Sequence, residues 1–315
     1  MDYFLPHKAL SLIMNKLTLA TLIIAAALHS PWVHANDSSF GDDNGTITLK
    51  YQPDISMDKE SLFISEAKIQ VDYVFTNTSQ HDLEVPVAFP MPPMYFGMSD
   101  HNEIENFQLW VDGKPQKTEH KLVVQLDDNT DISDKLAALG WTVEDVESFM
   151  QYEGLPPGKP PLPAEWLDSN NLIRFTMSNY FLWQQHFPAG KSVSIRHSYT
   201  PSVTSGVPQP ASLIIDSYAK STCLDKQTQA AVKKREGEYG VEWADLRYIL
   251  TTANNWQGAI KDFQLTIQKQ APTDVVSLCF DGELKKTDNL TFEFHQKNFK
   301  PSRNLDLLFV RKPSL

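Results

Sequence analysis

The chain has 315 residues, 41% hydrophobic and 21% charged, the composition of an ordinary globular protein long enough for two cores. Its net charge of -11 argues against a nucleic-acid or anionic-membrane partner. Two cysteines, Cys223 and Cys279, are too few for a cysteine-rich zinc site.

Lys16 precedes an apolar run from Leu17 to Leu28, and Val33-His34-Ala35 offers tolerated residues at the −3 and −1 positions. The pattern predicts a signal peptide cleaved after Ala35. Met14 opens a more typical leader than Met1, so residues 1–13 read either as an over-extended start or as a longer n-region. The apolar run is short for a bilayer span, and no other segment approaches that length. The rest of the chain therefore reads as a periplasmic or secreted protein of the bacterial envelope. There a lone cysteine pair predicts a disulfide between residues 56 apart, worth about 4 kcal/mol in the chain-entropy model.

Asn36 to Gly45 is polar and reads as a loose lead-in. Thr46 to Tyr51 reads as an edge strand and Ser61 to Ile64 as a short second one. The clearest pattern follows. Ile69, Val71, Tyr73 and Phe75 alternate with polar residues, as do Leu83, Val85, Val87 and Phe89, with Asn77 to Asp82 between the two runs. This predicts an antiparallel hairpin with one buried face, stopped by Pro90-Met91-Pro92-Pro93. Ile104 to Val111 reads as the next strand, Asp112-Gly113 as its turn, and Lys114 to Leu126 as the return.

At Asp127 the character changes. Asp131 to Asp134 caps a helix ended by Gly140, and Thr142-Val143-Glu144-Asp145 resembles a capping box that opens a second helix to about Met150. The insertion spans residues 131–152. Asp127-x-Asn129-x-Asp131-x-Ser133 imitates a calcium loop, but Ile132 stands where glycine is needed and Ala138 where a bidentate acid is needed. A solvated helix lead-in is the better reading. Gly154 to Pro163 forms a stiff strap of polyproline type.

Leu172 to Met177 and Val193 to Tyr199 resume the strands, the latter with Val193, Ile195, His197 and Tyr199 on one face and expected beside the hairpin. Thr200 to Pro210 is the best boundary in the chain, dividing an N-terminal domain (36–205) from a smaller C-terminal one (206–315). In the second, Leu213 to Ile215, Leu246 to Thr252, Phe263 to Ile267, Val275 to Phe280, Leu290 to Phe294 and Leu305 to Val310 read as strands, and Thr228 to Arg235 as a helix. The fold class is mainly β: two immunoglobulin-like β-sandwich domains, the first with an α-helical hairpin insertion and a Pro-rich strap.

Several ordered motifs resemble the bacterial family known as domain of unknown function 4424. They are Asn36-Asp37-Ser38, Glu60 to Ser65, the FTNTSQHDLEVPVAFPMP run, Trp183 to Lys191, Tyr248 to Trp256, Val276 to Cys279 and Asn304 to Leu308. The resemblance implies a secreted or periplasmic β-rich protein with no assigned activity, and a pair at Cys223 and Cys279. More distantly, the F-T-N run leading to F-P-M-P is similar to vault and inter-α-trypsin type domains, sandwiches used in protein–protein association.

No Gly-x-Ser-x-Gly elbow, His-Glu-x-x-His or phosphate-binding glycine loop is present. Carboxylates are plentiful, so a hydrolase site between the domains stands as the alternative to a non-catalytic module. Met91, Met94, Met98 and His101 could hold Cu(I), although methionine-rich loops more often make adaptable contact surfaces. Trp183 and His186 could form a ligand platform, against the plainer reading of Trp183 as core. The expected binding surface is the sandwich end carrying Met91, Pro92, Met94, Tyr95 and Phe96. No cofactor is implied, and the expected partner is an envelope protein or ligand.

Overall fold

The computed structural model describes residues 37–43, 46–93, 104–152 and 154–313, which belong to one compact unit, His34–Leu315. Three sheets build it. The first orders β2 (Thr46–Lys50), β1 (Ser38–Asp43), β5 (Leu83–Pro90), β9 (Phe175–Phe187) and β8 (Glu119–Leu126). The second and largest orders β16 (Lys285–Lys286), β17 (Thr291–Phe299), β14 (Ile260–Gln268), β3 (Gln52–Ile64), β4 (Ile69–Asn77), β10 (Ser192–Thr200), β6 (Glu105–Val111) and β7 (Lys114–Gln116), with β13 (Trp256–Gln257) beside β3. The third orders β11 (Thr204–Ser205), β12 (Glu242–Tyr248), β18 (Leu305–Arg311) and β15 (Val275–Leu278).

One face of the large sheet buries against both smaller sheets. Leu62, Val71, Phe75 and Leu265 from the large sheet share a core with Val87 and Phe187 from the first and with Leu246 and Phe309 from the third. Alternation explains the layering. Along β4 every second residue is buried and the intervening ones are half-exposed, as one-sided burial requires.

The expected hairpin is instead an arch. β4 pairs with β3 and β10 in the large sheet, whereas β5 pairs with β1 and β9 in the first. Their apolar faces meet across the core rather than side by side. Asn77 makes the crossing: its buried amide donates to the carbonyls of His81 (2.7 Å) and Phe187 (2.8 Å), and its Oδ1 accepts from the Ser79 amide (2.9 Å). The expected neighbour of β4, residues 193–199, does pair with it, as β10.

Other expectations change for local reasons. The polar lead-in holds strand β1, paired to β2 and β5. The return from Asp112-Gly113 ends at Gln116, and the chain then crosses to the first sheet as β8. Leu213 to Ile215 lies in helix, because Pro210 precedes the first turn and Ala211, Ile214 and Ile215 fall on one helical face. The division expected at 205/206 does not interrupt the large sheet, in which β14 pairs in parallel with β3.

Helices α1 (Ser133–Ala138) and α2 (Val143–Tyr152) cover the far end of the core-facing side of the first sheet, packing Leu136, Trp141 and Val146 onto Val124, Phe175 and Met177. Thr142 and Asp145 form a reciprocal capping box: the Thr142 amide donates to Asp145 (2.8 Å), and the Asp145 amide to Thr142 Oγ1 (3.3 Å). The proline strap is tied down by Lys159 Nζ on Asp145 (2.7 Å) and by Trp141 Nε1 donating to the Pro160 carbonyl (3.0 Å). The calcium-like segment is the helix lead-in, with Asp131 Oδ1 accepting from the Ser133 amide (2.8 Å). Helices α3 (Ala211–Tyr218) and α4 (Lys226–Lys233) cover the outer face of the third sheet, over Leu308 and Val310. The disulfide Cys223–Cys279 fastens the segment between them to the end of β15.

Candidate functional site

Strand β10 puts His197 and Tyr199 on the same inward face, and two environments meet there. His197 is fully buried. Its ring is boxed by Phe89 (4.8 Å between centroids), Trp183 (5.4 Å), Phe107 (5.5 Å) and Tyr73 (5.7 Å). Its Nε2 lies 3.4 Å from Oδ1 of Asp37, which is also fully buried. On the adjoining strands Glu60 stands opposite Tyr73, and the hydroxyls of Tyr73 and Tyr248 lie 3.4 Å apart.

The start of the described chain is pinned into this polar centre. Trp256 Nε1 donates to the Asp37 carbonyl (2.6 Å), and the Asn255 amide donates to Ser38 Oγ (2.9 Å). Asp37, Glu60, Trp183, Tyr248, Asn255 and Trp256 come from four separate motifs of the sequence, and the fold gathers them at the junction of the three sheets.

Desolvation governs the charges. Burial pulls the His197 imidazole down to about 3, so it is neutral at physiological pH. Burial, reinforced by the Glu60 charge, pushes the Asp37 carboxyl well above the usual range. Burial likewise raises Tyr73 and Tyr248. The centre is closed to solvent, and burial favours the neutral forms of His197, Asp37, Tyr73 and Tyr248. Asp37 and Glu60 are both fully buried, so these two acids are closed to solvent.

Two residues along the strand, Tyr199 opens onto a different place. It lies on a slot where strand ends meet, lined also by Ile69, Met91, Pro92 and Ile104 and by Ser202, Thr204, Asp245 and Arg247. Asp245 and Arg247 approach to 3.6 Å, so the lining combines an ion pair with apolar side chains. Its water-accessible volume is about 30 Å³, room for no more than a single side chain. A larger trough on the outer face of the large sheet exposes Trp110 beside Lys59 and Arg196. It is open, and Arg196 there is already bound to Asp72 (2.5 Å).

The sequence-predicted residues divide accordingly. Met91 and Pro92 line the slot. Trp183 is core, while His186, on the opposite face of β9, is half-exposed and bound to Glu84 (2.6 Å). The two cannot form one platform, because residues three apart on a strand point to opposite faces. Met94, Tyr95, Phe96, Met98 and His101 lie outside the described residues. Among the described residues no group of three His, Cys, Asp or Glu side chains could hold a metal. Asp37 and Glu60 enter the sequence reading only as parts of motifs, and nothing in the sequence points to Asp245 or Arg247 as a site. The available signal was an ionisable residue on the inward face of an alternating strand, as at Glu60 and His197.

The family model described as Domain of unknown function (DUF4424) matches residues 35–308, and the chain belongs to that family. Among curated proteins none matches. Among solved structures, the chain is similar to a Legionella pneumophila protein whose description as a nutrient binding protein is itself provisional. That match has 14% identity and a TM-score of 0.46, covering 88% of this chain and 70% of that one. It is also similar to an M1 zinc metallopeptidase from Deinococcus radiodurans, at 8% identity and TM-score 0.30, covering 82% and 43% of the two chains. The yeast LTA4 hydrolase matches at 10% identity and TM-score 0.30, covering 92% and 32%. Likenesses this distant carry no inference about activity.

Proposed function

We propose that this member of the DUF4424 family is an exported, non-catalytic binding module that seats a side chain of an envelope partner protein in the slot beside Tyr199. The observation that carries the reading is the slot's construction. Six apolar residues, Ile69, Met91, Pro92, Ile104, Tyr199 and Pro201, line the same slot as the charged Asp245 and Arg247. The apolar side chains supply contact area, and the ion pair supplies orientation and partner choice. The leader pattern ending at Ala35 and the Cys223–Cys279 disulfide support export. Among the described residues no helix is long and apolar enough to cross a membrane.

The test is site-specific photo-crosslinking in envelope preparations. A benzophenone amino acid at Met91 should capture a discrete partner, whereas the same probe at Lys121, on β8, should not. Equal capture from both positions, or capture from Lys121 alone, rejects the slot.

A further inference from the structure

The outer face of the large sheet, turned away from the core, carries a trough with about 430 Å³ of water-accessible space. Strand register builds it. Trp110 on β6 stands opposite Arg196 on β10, and Arg196 stands opposite Asp72 on β4. Two residues further along β4, Val74 stands opposite both Ser194 and Lys59. Along β4 and β10 the residues between these are buried, so the polar side chains all point outward.

The trough's own chemistry selects its occupant. Its floor strands β4 and β10 are paired along both edges, which leaves no run of backbone groups for an extended peptide to pair with. Trp110 is half-exposed, and among the described residues no other ring packs on it. The negative face of an indole favours a flat ligand that presents C–H groups to it. Beside it, Arg196 spends its Nε on Asp72 (2.5 Å), and the rest of the guanidinium fork still donates next to a carboxylate that still accepts. Adjacent donors and acceptors of this kind complement adjacent hydroxyl groups. The charges of Arg196 and Asp72 cancel. Lys59, which no carboxylate pairs among the described residues, therefore leaves the lining net positive in a chain of net charge -11. Three strand spacings, about 14 Å, separate the backbones of Trp110 and Lys59, the reach of a short saccharide between their side chains.

We propose that this trough binds an acidic saccharide of the uronate class. One ring lays its C–H face on Trp110, hydroxyl groups bond to Arg196, Asp72 and Ser194, and a carboxylate meets Lys59. The site shares no residue with the slot beside Tyr199, so the two readings stand or fall separately.

Calorimetric titration of the purified chain with three probes tests it: trigalacturonate, its methyl ester, and hexaglutamate. Trigalacturonate should bind saturably. The ester keeps the rings and loses the charges, and should bind about threefold or more weakly. Hexaglutamate keeps the charge and lacks the rings, and should not saturate. Trp110→Ala should weaken trigalacturonate about tenfold or more, and Lys59→Gln should bring its affinity down to that of the ester. Both side chains lie on the outer face, and an unchanged melting temperature checks that the variants fold. Should Trp110→Ala fail to fold, Lys59→Gln decides through the ratio of acid to ester affinity, which should fall to about one. Absence of trigalacturonate binding, equal binding of acid and ester by the unsubstituted chain, hexaglutamate binding as tight as trigalacturonate, or undiminished binding by either folded variant overturns the proposal.

Discussion

His197 and Tyr199 sit two residues apart on one face of one strand, both buried, yet one belongs to a sealed polar centre and the other lines a small slot at the sheet ends. Surroundings decide the difference. Around His197 all three sheets close, and Asp37, Glu60 and Tyr248 are carried in from distant parts of the chain. At Tyr199 the same sheets run out, and strand ends leave a gap bordered by Met91 and Arg247. The centre has the packing of a stability element and the slot that of a contact surface. Substitutions should therefore separate folding from binding along this one strand.

The largest expected effect lies at the centre. Trp256 packs on Phe75 (4.7 Å) and Phe187 (6.3 Å) and holds the Asp37 carbonyl. Trp256→Ala should cost about 3–5 kcal/mol in denaturant unfolding. A loss below about 1 kcal/mol would erase the contrast between the two regions.

Acid should act on the centre next. The folded-state His197 pKa, about 3, lies below its unfolded value near 6.5. Its contribution is complete above about pH 6.5 and is lost as pH falls toward 3, where the folded ring takes up its proton. Asp37 has the opposite sign: its raised pKa favours the fold below the unfolded carboxylate value and less as pH rises through the folded one. Comparing the native chain with His197→Phe isolates the imidazole. The stability difference between them should shift by a few kcal/mol between pH 7 and 4, and a constant difference would show that the ring is not held neutral.

A smaller effect calibrates both. Thr142→Ala breaks the capping box on the helical insertion and should cost about 1 kcal/mol. It should leave the acid transition and the crosslinks from position 91 unchanged. The smallest stability effect belongs to the slot. Arg247→Ala should change stability by less than about 1 kcal/mol while abolishing capture from position 91, because its partner Asp245 lies at the slot and not in the core.

Much of this was legible in the sequence. Period-two burial along β4 and β10, the capping box at Thr142, the Asp112-Gly113 turn and the Cys223–Cys279 pair follow from rules that act within a few residues or, for the cysteines, from simple arithmetic. The arch was not legible. Two alternating runs with buried inner faces look the same whether they lie side by side or face to face, and the deciding contact, Asn77 on the Phe187 carbonyl, spans 110 residues. The parallel pairing of β14 with β3 was hidden for the same reason, so a proline-rich connector resembled a domain boundary. The site was half legible. Met91 and Pro92 announced the slot by ending a strand, but Arg247 reaches it only through the third sheet. Asp37 lay in a segment whose polarity suggested exposure, and its burial depends on Trp256, 219 residues away.

Amide hydrogen exchange of the chain alone and in complex with the captured partner tests the central claim most directly. Binding at the slot predicts new protection at Ile69, across residues 199–204 and at Asp245 to Arg247, with exchange around His197 and Glu60 unchanged. Protection confined to the outer face of the large sheet, around Trp110 and Arg196, would contradict it.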